Sequence, residues 1–149
     1  MDMTGEYHIA APRAAVWAAL NDPEVLKACI PGCDELVMTS PTTMEAKVTQ
    51  KIGPVKAKFA GAVELLNMDA PSSYTIRGEG KGGVAGFAKG AADVRLSDAD
   101  GGTLLTYEAR AEVGGKLAQL GSRLIDSTAK KLADAFFTAF RDHLGASDA

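Results

Sequence analysis

Few side chains in this sequence have the type and spacing that chemistry requires. Cys29 and Cys33 flank Ile30-Pro31-Gly32, and the only histidines are His8 and His143. A closed zinc site would need all four of these residues, gathered from both ends of the chain, whereas zinc motifs hold their ligands in close pairs. The cysteines therefore read as buried or half-buried thiols, and no metal site is expected. Gly78, Gly80 and Gly83 spell G-x-G-x-x-G. That fingerprint cradles a pyrophosphate only where a helix begins directly behind it. Here residues 84–96 are Gly/Ala-rich and then strand-like, and no Gly-Lys-Ser/Thr follows. Nucleotide binding is not expected. Tyr74 and Tyr107 are the titratable groups that fall on apolar faces, and they suit hydrogen bonding in an apolar cavity better than proton exchange near neutral pH. Trp17, among alanines on a short helix, reads most simply as a core anchor, with a place in a cavity wall as the alternative. No catalytic residue stands out, and the reading is of a protein that is not an enzyme.

The elements that must position these residues follow from periodicity. Glu6 to Ala10 reads as a first strand, and Arg13 to Leu20, after Pro12, as a short helix. Asp22 and Pro23 are the N-cap and first position of a second short helix that ends near Cys29. From there to residue 112 the pattern has period two. Met44, Ala46, Val48 and Ile52 share one parity. Val55, Ala57, Phe59, Gly61, Val63 and Leu65 share the next, followed by Tyr74, Ile76, Gly78 and Gly80. Ala92, Val94 and Leu96, then Leu105, Tyr107, Ala109 and Ala111, complete the covered face. Sustained alternation of this kind predicts an antiparallel sheet with one wet and one covered face. The segment from Leu117 to Ala139 changes period: Leu117, Leu120, Leu124, Thr128, Leu132, Ala135 and Ala139 recur at helical spacing, with Gly145 as the expected stop. One amphipathic helix of about 28 residues, roughly 40 Å long, is predicted. The fold class is α+β: a curved antiparallel sheet of about seven strands wrapped around a long C-terminal helix, with two short helices after the first strand.

Composition bounds the rest. A chain of 149 residues suits one domain over 1–149, with a polar tail from about residue 145. Lys+Arg 16 against Asp+Glu 19 leaves a net charge of -3, so no bulk attraction to nucleic acid is expected. No apolar run is long enough to span a bilayer, and Met1 to Tyr7 lacks a signal-peptide pattern. The cysteine usage fits a reducing cytoplasm.

Small residues on the covered face, such as Ala57, Gly61, Gly78, Gly80 and Ala109, either admit the helix closely or leave room for a ligand. The cavity reading assigns its lining to Phe59, Val63, Tyr74, Ile76, Tyr107, Ala109, Leu120, Leu124 and Phe136. Pro31-Gly32 is expected to turn the chain into the sheet and put Ile30 near the rim. Successive hairpin turns alternate between the two ends of a sheet. One end therefore collects residues 40–42, 68–71 and 98–101; the other collects 52–55, 82–87 and 113–115. The second end carries Pro54, Val84 and Phe87 at its tips and Lys51, Lys56, Lys58, Lys81, Lys89 and Lys116 around them. It is expected to be the cavity mouth and a transient membrane contact.

Four long stretches in order carry a resemblance: ALNDPEVLKACIPGC (19–33), KIGPVKAKFAG (51–61), GEGKGGVAGFAKGAADVRL (78–96) and YEARAEVGGKLAQLGSRLIDSTAKKLADAFF (107–137). Across about residues 5–143 the chain resembles the CoxG family, the G-type accessory chains of carbon monoxide dehydrogenase, within the START-like, helix-grip (SRPBCC) superfamily. The resemblance implies an apolar cavity between sheet and helix and an accessory role beside molybdenum hydroxylases of the carbon monoxide dehydrogenase type. It further implies recruitment of that enzyme to the cytoplasmic membrane and carriage of a quinone or lipid-like molecule, with no tightly bound cofactor. Relatives commonly continue into a membrane-associating segment; this chain ends at Ala149, so peripheral and transient contact is expected. Two rival readings stand beside the carrier: a docking module with a filled core, and a small-molecule enzyme of the START-like superfamily.

Overall fold

A computed structural model describes residues 2–146. β1 (Asp2–Ile9) leads into α1 (Arg13–Leu20) and α2 (Pro23–Cys29). Six strands follow by consecutive hairpins: β2 (Cys33–Ser40), β3 (Thr43–Ile52), β4 (Val55–Asp69), β5 (Ser73–Lys81), β6 (Phe87–Ala99) and β7 (Gly102–Gly114). A 3-10 turn, Gly83–Ala85, separates β5 from β6. A 3-10 segment, Gly115–Leu120, separates β7 from α3 (Ser122–Ala146). The sheet order is β1-β7-β6-β5-β4-β3-β2, antiparallel throughout. β1 and β2 are thus opposite edges, and α1 and α2 carry the chain between them.

Local chemistry explains the short helices. Asp22 caps α2 by accepting the Glu24 amide at 2.9 Å, and Pro23 supplies the preset φ of a first turn. Asn21 closes α1, its side-chain amide donating to the Trp17 carbonyl at 2.9 Å. Gly32, at φ 73°, makes the turn into β2, and its carbonyl accepts the Thr49 amide. A Cβ there would collide with the Thr49 carbonyl.

The alternation of the strands matches the burial pattern, but four boundaries differ from expectation. β1 begins at Asp2 rather than Glu6, because pairing with β7 extends out to Asp2 opposite Arg110. β6 begins at Phe87, opposite Gly114, so the Gly/Ala-rich stretch is already strand. The predicted single helix is interrupted: Leu117 and Leu120 lie in the 3-10 segment, and Gly121 at φ 90°, ψ 150° ends it, a conformation open essentially to glycine alone. Gly145 does not stop α3, which runs to Ala146, and Ala135 is exposed rather than on the buried stripe. Leu124, Thr128, Leu132 and Ala139 are half-buried as expected, and the stripe also takes in Ile125, Ala129, Ala133, Phe136, Phe137, Phe140 and Leu144. The expected tail past residue 146 lies outside the described residues.

The main core sits at the end of the sheet capped by α1, α2 and the C-terminal half of α3. Ile9, Val16, Leu105 and Phe140 are fully buried there. Thr103, the buried polar side chain, donates to the Ala11 carbonyl at 2.7 Å. Arg13 ties the same end together, donating to Asp98 at 2.9 Å and to the Ser72 hydroxyl at 3.0 Å. A smaller buried set, Ala85, Leu117 and Ile125, lies apart from this core at the opposite end. Phe140→Ala is expected to cost about 3–5 kcal/mol in urea unfolding, because it empties a closed site. Leu132→Ala, half-buried and outside the core cluster, is expected to cost no more than about 1–2 kcal/mol. Equal losses would mean that α3 is packed uniformly along its length.

Candidate functional site

Five adjacent strands change character at the same level. At the capped end their inward side chains are buried: Met44 on β3, Leu65 on β4, Tyr74 on β5, Val94 and Leu96 on β6, Leu105 and Tyr107 on β7. One or two inward positions further on, every strand turns half-buried. Ala46 and Val48, then Val63, Gly61 and Phe59, then Ile76 and Gly78 all show it, as do Ala92, Gly90, Ala109 and Ala111. These residues face α3, yet the helix does not seal them. Its backbone comes close to β1, α2, β3 and the 3-10 segment, so it is held over the flanks of the sheet. The inward side chains at this level alternate between small ones, Gly61, Gly78, Gly90, Ala92, Ala109 and Ala111, and the larger Val48, Phe59, Val63 and Ile76.

The expected lining residues fall into two groups along this face. At the capped end, Tyr74 stands edge-on to Trp17, ring centroids 5.4 Å apart. Tyr107 lies across Gly5, where any Cβ would strike its ring, and stacks with Phe137 at 5.7 Å. Phe136 stacks on Phe140 at 5.7 Å. At the far end, the Phe59 ring packs over Gly82, and Leu124 reaches the Gly53 turn between β3 and β4. Leu120 is half-buried at the last position of the 3-10 segment. Val63 beside Gly78, Ile76 and Ala109 connect the groups.

The interior contains two polar side chains that periodicity alone did not single out. Tyr7, inward on β1 with Met3, Gly5 and Ile9, stacks on Phe137 at 4.3 Å and donates to Asp134 at 2.7 Å. Gln50 shares the inward parity of β3 and donates to the Pro31 carbonyl at 2.6 Å, lacing the α2–β2 turn to the rim. A lone amide within an apolar register was the available signal. Burial raises the pKa of all three tyrosines above the ordinary value, with the Asp134 carboxylate adding to the effect at Tyr7. They are therefore neutral hydroxyl donors at any physiological pH. Burial likewise raises Cys29 and Cys33, keeping both as thiols rather than nucleophilic thiolates. Among the described residues no three His, Cys, Asp or Glu side chains converge as a metal site. The G-x-G-x-x-G glycines lie on β5 and the 3-10 turn, with strand β6 behind them.

The expected mouth gathers at one end of the sheet. The turns at Gly53-Pro54, 83–85 and 115–120 all lie there, with Gly86 and Gly115 in backbone-to-backbone contact. Ile30 and Pro31 are half-buried on the β2–β3 side; Pro54 is exposed, as are Val84 at 85 % and Phe87 at 37 %. The lysines are not equivalent. Lys89 is paired with Glu112 at 2.8 Å, and Lys81 lies 3.9 Å from Glu79. Lys51 and Lys56 face each other in register on the outer surface, with Lys58 and Lys116 also exposed. Like charges directly opposite repel, so this pair is a local focus of positive potential.

The outer face of the sheet carries an unanticipated open depression of about 660 Å³ over Ala62, Gly78 and Ala91. Its rim is ion-paired, Arg77 with Glu64 at 2.6 Å and Lys89 with Glu112 at 2.8 Å. Among the described residues no helix is long and apolar enough to cross a membrane.

Known proteins place this geometry. The chain is similar to a conserved protein of Geobacillus kaustophilus of known crystal structure, at 30 % identity and TM-score 0.93, covering 99 % of this chain and 97 % of that one. A Thermus thermophilus protein shares the fold at 14 % identity and TM-score 0.73, over 100 % of both chains. So does a Mycobacterium smegmatis protein, at 22 % identity and TM-score 0.70, over 98 % of this chain and 92 % of the other. No curated protein matches the chain. The family model for the G subunit of carbon monoxide dehydrogenase (CoxG) matches residues 5–145, and the chain belongs to the CoxG family.

Proposed function

We propose that the protein is a non-enzymatic carrier of a membrane quinone, accessory to a molybdenum hydroxylase of the carbon monoxide dehydrogenase type. The observation that supports this most is the common level at which five strands cease to be sealed beneath α3. A filled docking module would bury that inward face to normal density along its whole length. The tyrosines facing the interior favour the carrier over the enzyme, since none titrates near neutral pH. Family membership implies association with carbon monoxide dehydrogenase and an accessory role beside it. A quinone links such an enzyme to the cytoplasmic membrane, because it is both an electron acceptor and lipid-soluble.

The direct test is organic extraction of the protein from its native host followed by mass spectrometry, with a stoichiometric quinone expected. Ala109→Phe, which pushes a ring into the space opposite α3, is expected to lower quinone binding at least tenfold, roughly 1.4 kcal/mol. The melting temperature is expected to stay within a few degrees. Outright unfolding of that variant would show the site to be packed core.

The glycine-rich end is the proposed mouth and membrane contact. Each lysine close to an anionic leaflet contributes about 1 kcal/mol before screening. Lys51→Glu/Lys56→Glu/Lys58→Glu is expected to abolish co-sedimentation with anionic vesicles, and salt is expected to weaken the wild type in parallel. Lys89→Glu is expected to matter less, since Glu112 already neutralises that side chain. Sedimentation indifferent to salt, lipid charge and these substitutions would leave protein docking as the use of this surface.

A further inference from the structure

Three buried side chains among the described residues bear an oxygen or nitrogen: Thr103, Tyr107 and Tyr74. Thr103 is satisfied by the Ala11 carbonyl, and the Tyr107 hydroxyl interacts with that of Tyr7, which in turn donates to Asp134. Tyr74 differs. It is 6 % exposed, and its hydroxyl has no hydrogen-bond partner among the described residues. Yet no described side-chain oxygen or nitrogen is both sealed and unpartnered, so the accessible part of Tyr74 includes its oxygen. Tyr74 sits on the inward face of β5, the central strand of the sheet, with the Trp17 ring edge-on beside it. Because Tyr74 is inward on β5, its side chain lies on the face of the sheet that α3 covers. A donor held there at the boundary between packed core and open interior is poised for an acceptor that arrives with a ligand, because an unpaired hydroxyl in apolar surroundings is costly.

We propose that Tyr74 donates a hydrogen bond to a carbonyl oxygen of the bound ligand, so that the site selects molecules with a carbonyl-bearing head and an apolar tail and seats them head-first toward the capped end. This rests on the carrier reading and adds to it an orientation and a selectivity. The apolar tail then runs past Ile76, Gly78 and Phe59 toward the glycine-rich mouth, over side chains that offer no acceptor or donor of their own. The hydroxyl stays neutral at physiological pH, as donation to a carbonyl requires.

The test compares decyl-benzoquinone with decylbenzene, which keeps the ring and tail and lacks the carbonyls. By calorimetric titration the wild type is expected to bind the quinone about tenfold more tightly than the hydrocarbon, the ordinary worth of one hydrogen bond. Tyr74→Phe is expected to erase that preference while binding decylbenzene as the wild type does and melting no lower. A second measurement needs no variant. Trp17 is the sole tryptophan, so bound quinone with its head beside Tyr74 quenches the protein's indole fluorescence. Equal affinities for both probes in wild type and variant, or unquenched Trp17 in the quinone complex, would overturn the assignment of Tyr74 and leave the carrier standing. Binding of neither probe would overturn the carrier reading, and this inference with it.

Discussion

The aromatic stack of Tyr7, Phe137 and Tyr107 fastens α3 to one end of the sheet, and the main buried core is continuous with that attachment. Tyr7 and Phe137 lie 4.3 Å apart, Tyr107 joins at 5.7 Å, and Phe136 and Phe140 extend the seam along the helix. Each such pair contributes about 0.5–1.5 kcal/mol beyond the area it buries. Gly5 is what allows the stack, since a Cβ there would displace the Tyr107 ring. Arg141 covers the exposed face of Tyr7 at 5.5 Å. Gly121 frees the other end of α3 from the direction of β7. There the helix meets the rest of the protein through Leu124 against the Gly53 turn and through the small buried set of Leu117, Ile125 and Ala85. Between the two anchorages the inward face of the sheet is half-buried, with Gly and Ala set among Phe59, Val63 and Ile76.

Strand identity and inward parity were legible because period two persists over long runs: the covered residues from Met44 to Ala111 are the inward ones. Turn ends were legible for the same reason, as hairpins alternate. What periodicity could not reveal was where a pattern is interrupted by backbone geometry. Leu117, Leu120 and Leu124 fall at helical spacing, and a 3-10 segment followed by a left-handed glycine preserves that spacing almost unchanged in sequence. Only the φ of Gly121 separates the two cases. Ala135 was misplaced because alanine is as common on a wet helix face as on a dry one, whereas the neighbouring phenylalanines set the true stripe. The N-terminal half of β1, Asp2 to Gly5, has too few apolar residues to announce a strand. Its partner β7 holds it through the backbone ladder.

The lining of the candidate site was legible as a set of inward positions, but its division was not. Alternation says that Tyr74 and Phe59 face the same way; it does not say that the first is buried against Trp17 and the second lies over Gly82 near the far end. That division comes from the two short helices, which cap a single end because they must carry the chain from edge strand β1 to edge strand β2. Tyr7 and Gln50 escaped notice for opposite reasons. The first sits in a strand whose expected stretch, Glu6 to Ala10, was too short to show which parity faces inward; the second breaks an apolar register that otherwise continues unbroken.

A sheet whose inward face is left half-covered forgoes stability that larger side chains would supply, at about 25 cal/mol for each Å² of apolar surface not removed from water. The capped end offsets this with the main cluster of buried side chains, which lies apart from the half-buried mid-section. That separation has a thermodynamic consequence. Any molecule that bound the mid-section would add its binding free energy to a stability the capped core already supplies. The charge distribution follows the same division: Arg13 with Asp98 locks the capped end, while Lys51 opposite Lys56 concentrates unneutralised positive charge at the glycine end. Overpacking at the capped end would therefore strain the fold, whereas changes at the glycine end alter what the surface meets.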